Sequence, residues 1–119
     1  MTERPSVLVV DDDAEHRAQV CLALDEAGYD AVPASDGAHA LELLNVGMPS
    51  VILLDLLMPE KDGWQVVAEL RGNKRSAAVP IVVLSAVPAE ELHGAPVNGY
   101  LEKPFTVEEL LREVRRQLC

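Results

Sequence analysis

Three stretches of the chain are continuously apolar: residues 7–10, 51–54 and 81–84. Runs this short, and rich in valine, leucine and isoleucine, suit strands covered on both faces of a parallel sheet. Residues 31–34 and 99–101 are weaker strand candidates. Between these runs the apolar positions change to helical spacing. Residues 14–27 carry Val20, Ala23, Leu24 and Ala27 at i, i+3, i+4 and i+7, and Gly28 follows as a stop. Residues 37–45 turn Ala40, Leu41 and Leu44 inward before Gly47 and Pro49. Residues 64–72 carry Val66, Val67 and Leu70. Residues 107–118 have the cleanest stripe, Val107, Leu110, Leu111, Val114 and Leu118. That last segment opens with Thr106-Val-Glu-Glu109, a capping-box signature.

Strand and helix therefore alternate five times. Such alternation implies an α/β fold, a parallel sheet with helices on both faces. Right-handed crossovers leave few ways to arrange it. Sheets of this kind bind ligands at the carboxyl ends of their strands. Those ends carry the chemistry of this chain. The first strand runs into Asp11-Asp12-Asp13, the third into Asp55, the fourth into Ser85 and the fifth into Lys103-Pro104.

Clustered carboxylates repel, by roughly 1 kcal/mol at about 4 Å in water and about 4 kcal/mol at an effective dielectric near 20. Gathering them at one rim calls for a cation. All-oxygen ligands select a hard ion, and few carboxylates with open positions favour Mg²⁺ over Ca²⁺. Lys103 neutralises part of the charge, and the Ser85 hydroxyl can donate to a negative oxygen arriving at Asp55. A carboxylate nucleophile, a divalent ion, a lysine and a hydroxyl together make a phosphoryl-transfer site. Each residue also has a plainer role. Asp13 reads as the start of the first helix rather than as a metal ligand. Ser85 alone is a strand-end hydroxyl and Lys103 alone a surface charge. Their convergence on one rim argues for the site. His16, His39 and His93 lack paired spacing and read as solvated; Cys21 reads as packing beside the buried stripe of its helix, and Leu22 as outward.

Composition narrows the picture further. The 119 residues, 49% hydrophobic, amount to one domain over 1–119, large enough to bury a single core. The net charge of −10 argues against direct nucleic-acid binding and against docking on an anionic membrane. The apolar runs are too short for membrane insertion, and residues 1–5 lead straight into a strand without a signal peptide. Cys21 and Cys119 form no disulfide framework and no metal-ligand spacing, so they are expected as free thiols in a cytoplasmic protein.

The motifs "VLVVDDD", "VILLDLLMPEKDG", "IVVLSA" and "GYLEKPF" stand in this order on these elements. In them the chain resembles, over essentially its whole length, the receiver domain of two-component response regulators. The resemblance implies a flavodoxin-like (βα)5 fold with strand order 2-1-3-4-5. It implies that Asp55 is the phosphoacceptor, charged by a histidine kinase or a histidine phosphotransfer protein. Asp11, Asp12 and Asp55 would hold Mg²⁺ with the backbone carbonyl of Leu57. Lys103 would contact the phosphoryl group, with a cis bond to Pro104; Ser85 would be the switch hydroxyl and Tyr100 the switch aromatic. Phosphorylation would then shift populations at the surface of the fourth helix, fifth strand and last helix, changing contacts with a downstream protein target. Whether it drives a homodimer stays open. On this reading the chain is a phosphoacceptor rather than an enzyme, with at most weak self-phosphorylation and self-dephosphorylation.

Two departures from the family pattern stand out. Residues 86–98 leave 13 positions for a loop, a helix and a loop, bracketed by Pro88 and Pro96, so a shortened fourth helix is expected over 89–93. Leu57 and Val87 put apolar side chains where the family steers water to the phosphoryl group, which predicts slow self-dephosphorylation. Two other classes compete. A pseudo-receiver would keep the fold and bind partners constitutively; the complete set of Asp11, Asp12, Asp55, Ser85 and Lys103 speaks against it. A Mg²⁺-dependent aspartyl-phosphate phosphatase would want a second acid where Leu57 stands and more chain for a substrate pocket. A flavin carrier of the same topology fits worse, because three aspartates after the first strand would repel its phosphate.

Overall fold

The computed structural model describes residues 4–55, 63–86 and 97–118, the side chains of residues 63 and 64 excepted. The described elements are β1 (Ser6–Val10), α1 (Ala14–Glu26), β2 (Asp30–Ala34), α2 (Gly37–Leu44), β3 (Val51–Asp55), α3 (Gly63–Gly72), β4 (Ile81–Ser85), β5 (Gly99–Glu102) and α4 (Val107–Leu118). All strand pairs are parallel, and the sheet order is β2-β1-β3-β4-β5. This is the expected order 2-1-3-4-5. The expected short helix over 89–93 lies outside the described residues.

The two-residue period of a strand divides the core into two layers. Val7 and Val9, Val51 and Leu53, and Val82 and Leu84 pack against Val20 and Leu24 of α1 and Leu110 and Val114 of α4. Leu8 and Val10, Ile52 and Leu54, and Ile81 and Val83 pack on the other face against Ala40 and Leu44 of α2 and Val66, Val67 and Leu70 of α3. The central strands β1, β3 and β4 are thus sealed on both sides, which is why their sequences are unbroken apolar runs. Each fully buried Leu or Ile contributes on the order of 1.5–3 kcal/mol.

Helix ends follow local chemistry. The Asp13 side chain accepts from the Glu15 and His16 amides at the start of α1, and Asp36 accepts from the His39 amide at the start of α2. At α4 the capping box is complete: the Glu109 amide donates to Thr106 Oγ1 and the Thr106 amide to Glu109 Oε1, at 3.0 and 2.9 Å. The α1 stripe is shorter than its spacing predicts, because Ala27 is the exposed C-cap and not a core residue. Gly28 follows at φ 97°, a left-handed stop that glycine adopts freely.

At one edge of the sheet, β2 uses residues 30 and 34 to meet β1. The Asp30 amide donates to the Pro5 carbonyl, and the Asp11 amide donates to the Ala34 carbonyl. Alternation therefore turns the backbone of exposed Pro33 outward, at a position with no N–H. No described helix is long and apolar enough to cross a membrane.

Candidate functional site

Register alone brings the strand ends together. Val10 pairs with Leu54, so the next residues, Asp11 and Asp55, lie side by side. Asp55 pairs with Leu84, so Ser85 stands one step beyond, and the Lys103 amide donates to the Ser85 carbonyl at 2.8 Å. Parity then sets direction. Asp11 continues the Val7, Val9 series and Asp55 the Val51, Leu53 series, so both carboxylates face the side covered by α1 and α4. Ser85 continues the Ile81, Val83 series and approaches the rim from the other face, the one shared by Tyr100.

Asp11 and Asp55 are almost fully buried, at 1% and 3% exposure. Lys103 reaches over the rim and places Nζ 2.6 Å from Asp55 Oδ2. The Lys103–Pro104 bond is cis, in line with the sequence expectation. Asp11 is held on several sides. Its Oδ1 accepts from the Asp13 amide at 2.9 Å, and its carbonyl accepts from Arg17 at 2.6 Å. Burial pushes the Asp11 carboxyl above the ordinary carboxylate range; the nearby Asp55 charge adds to this, while the bonds from His16 and the Asp13 amide oppose it.

His16 is the residue that sequence reasoning missed. It was expected to be solvated; instead it is half-buried, with Nδ1 2.5 Å from Asp11 Oδ2 and 4.0 Å from Asp55 Oδ2. The ring makes a T-shaped contact with Phe105, with centroids 6.1 Å apart. The reason is local. Once Asp13 caps α1, the third helical residue sits over the end of β1, and a side chain there falls back onto Asp11. An acid ending a strand, followed five residues later by a histidine in the first helical turn, was the available signal.

The other predicted residues are placed as follows. Asp12 is exposed at the rim, beside the buried pair. Asp13 caps α1, as its plainer reading had it. Ser85 is fully buried, and half-buried Tyr100 sets its hydroxyl 3.5 Å from the Ser85 carbonyl oxygen. Leu57 and Val87 lie outside the described residues. Among the described residues, one ligand atom each from Asp11, His16 and Asp55 comes within 4.8 Å of the others. Two buried carboxylates facing one point suit a divalent cation.

Comparison with known proteins identifies the family. The family model described as the response regulator receiver domain matches residues 7–115. The DNA-binding dual master transcriptional regulator RpaA of Synechocystis is 37% identical over 96% of this chain, which spans about half (49%) of that protein. Chemotaxis protein CheY4 of Vibrio cholerae is a structural neighbour at TM-score 0.90 and 32% identity, covering 98% of this chain and 100% of its own. Response regulator protein TrrA of Thermotoga maritima follows at TM-score 0.84 and 29% identity, covering 96% and 99%. From the strand-end acids, the sheet order and these matches together, the chain belongs to the response regulator receiver domain family of two-component systems.

Proposed function

We propose that the chain is the phosphoacceptor of a two-component phosphorelay, with residues 1–119 acting as one receiver unit and Asp55 as the accepting group. The observation that carries this reading is the buried Asp55 carboxylate with Lys103 Nζ at 2.6 Å. An Asp55 oxygen attacks phosphorus of a phosphohistidine on a kinase or phosphotransfer protein. The P–N bond breaks, and its electron pair stays on the imidazole nitrogen. Lys103 is already positioned to take up charge developing on the phosphoryl oxygens. Asp11, Asp12, Asp55 and the Leu57 carbonyl are the residues that would hold Mg²⁺, which supplies charge neutralisation at those oxygens. The relative TrrA was solved in complex with Mg(2+)-BeF, which supports a magnesium role here.

Burial prepares Asp55 for this role. A carboxylate at 3% exposure keeps solvent away from the acyl phosphate it would form. Ser85 and Tyr100 are the proposed relay: the hydroxyl of one turns toward the new phosphoryl oxygens and the ring of the other follows. The output is a changed preference for a downstream protein, or for a second copy of the chain, at the surface beside β5 and α4.

The test is incubation with Mg²⁺ and acetyl phosphate, followed by intact mass, for wild type and Asp55→Ala. One added phosphoryl group that requires both Mg²⁺ and Asp55 is the expected result. Addition that survives Asp55→Ala, or that needs no divalent ion, would overturn the assignment.

A further inference from the structure

We infer that His16 is a further side-chain ligand at the ion site of Asp11 and Asp55, which gives this receiver pocket a preference for nitrogen-accepting divalent ions such as Co²⁺, Ni²⁺ and Zn²⁺. The inference rests on the reading of Asp11 and Asp55 as metal ligands. It starts from position: one ring nitrogen of His16 and one oxygen of each carboxylate lie within 4.8 Å of one another, with Nδ1 the nitrogen that faces Asp11 and Asp55. Two ligand atoms about 2.1 Å from a common ion stand about 3.0–3.4 Å apart in octahedral or tetrahedral geometry. The observed separations of 2.5 Å to Asp11 and 4.0 Å to Asp55 straddle that range. An ion replacing the proton between His16 and Asp11 would need about 0.5–0.9 Å of opening there and about 0.6–1.0 Å of closing toward Asp55, within reach of side-chain rotation.

The ring is also held in place. Its own amide is fixed to the Asp13 cap, and the ring makes a T-shaped contact with Phe105, with centroids 6.1 Å apart. Support of this kind orients a ligating imidazole. A groove of about 520 Å³, lined by His16, Lys103 and Phe105 among others, opens beside the ring and provides the approach. The chemistry then differs from an all-oxygen pocket. Mg²⁺ gains little from an imidazole, whereas the later first-row ions gain much. Asp11 and Asp55 serve both kinds of ion; His16 separates them.

The experiment is calorimetric titration of the whole chain with Co²⁺ and with Mg²⁺, for wild type, His16→Ala, Asp11→Asn and the control His39→Ala. The Co²⁺ complexes are also recorded by proton NMR, where only a directly ligated ring shows large hyperfine shifts. We expect the Co²⁺-to-Mg²⁺ affinity ratio to fall about tenfold or more in His16→Ala, with loss of one set of shifted ring protons, and to hold in His39→Ala. If His16 only neutralises Asp11, the ratio stays within threefold or both ions bind His16→Ala more tightly; either result overturns the inference and leaves the Mg²⁺ reading intact. If neither ion depends on Asp11, both readings fall. Loss of both ions is expected of Asp11→Asn; if His16→Ala binds neither ion it is checked by circular dichroism against wild type, and the inference falls if it is folded, while His16→Asn replaces it if it is not.

Discussion

Replacing Asp11 with asparagine should stabilise the protein when no divalent ion is present. Asp11 and Asp55 are both buried, and their facing oxygens lie within 4.8 Å. Two negative charges at that separation repel by about 1 kcal/mol in water and about 3.5 kcal/mol at an effective dielectric of 20. Lys103 sits on Asp55 and His16 on Asp11, so part of this is already offset. The amide of asparagine keeps the shape and still accepts from the Asp13 backbone, but more weakly, a loss of about 0.5–1.5 kcal/mol. The balance favours Asp11→Asn by about 0.5–2 kcal/mol, or roughly 2–8 °C in Tm for a chain of this length. The pH dependence has a definite sign. The Asp11 carboxyl lies above its ordinary value of 3.8 in the folded protein. Its protonated form therefore carries stability that is complete below 3.8 and lost as pH rises through the folded pKa. The advantage of Asp11→Asn grows across that window and is flat above it. Equilibrium urea unfolding in EDTA, followed by far-UV circular dichroism from acid to neutral pH, measures this directly. Added Mg²⁺ should then stabilise wild type and leave Asp11→Asn nearly unchanged. A variant less stable than wild type at neutral pH in EDTA, or an advantage that shrinks as pH rises, would refute the reasoning.

Other expectations can be checked with the same tools. Gly37→Ala should cost about 1–3 kcal/mol, because an added Cβ would meet the buried Val66 Cγ2 at 2.7 Å and valine has little freedom to turn away; unchanged urea stability would contradict this. Cys21 should react with iodoacetamide more slowly than free cysteine under mildly alkaline conditions, since burial, with the nearby Asp25 charge, pushes its thiol pKa up; peptide mapping over time reads the rate. The phosphorylated chain should hold its group long enough to purify, given apolar Leu57 and Val87; a half-life of seconds would count against that.

Much of this architecture is legible in the chain because parallel strands buried on both faces must be apolar at every position. Residues 7–10, 51–54 and 81–84 therefore announce β1, β3 and β4. The structure extends β3 and β4 by one polar residue each, Asp55 and Ser85, because backbone pairing continues where hydrophobicity stops. The same break marks the site: a polar residue at the end of a buried strand stands out against what precedes it. Edge strands give weaker signals, and the half-exposed β2 and β5 were accordingly fainter. His16 escaped because its one signal, a strand-end acid five residues earlier, acquires meaning only once the two elements are placed in space. Its role depends on the angle at which α1 leaves β1, and the Asp13 cap sets that angle.

Pro33 has a consequence for how copies of this protein meet. A strand at the border of a parallel sheet offers its unused amides to any extended segment that drifts past, and neighbouring chains in a crowded solution can polymerise through such borders. Pro33 removes a donor on the outward side of β2, at the position level with Val9. A foreign strand laid along this border would find a gap at the fourth of five positions. The proline costs the fold nothing on its inner side, where Asp30 and Ala34 carry the bonds to β1. Any contact between copies would thereby be steered away from sheet continuation and toward surfaces made of side chains, the kind of surface that the proposed switch would remodel.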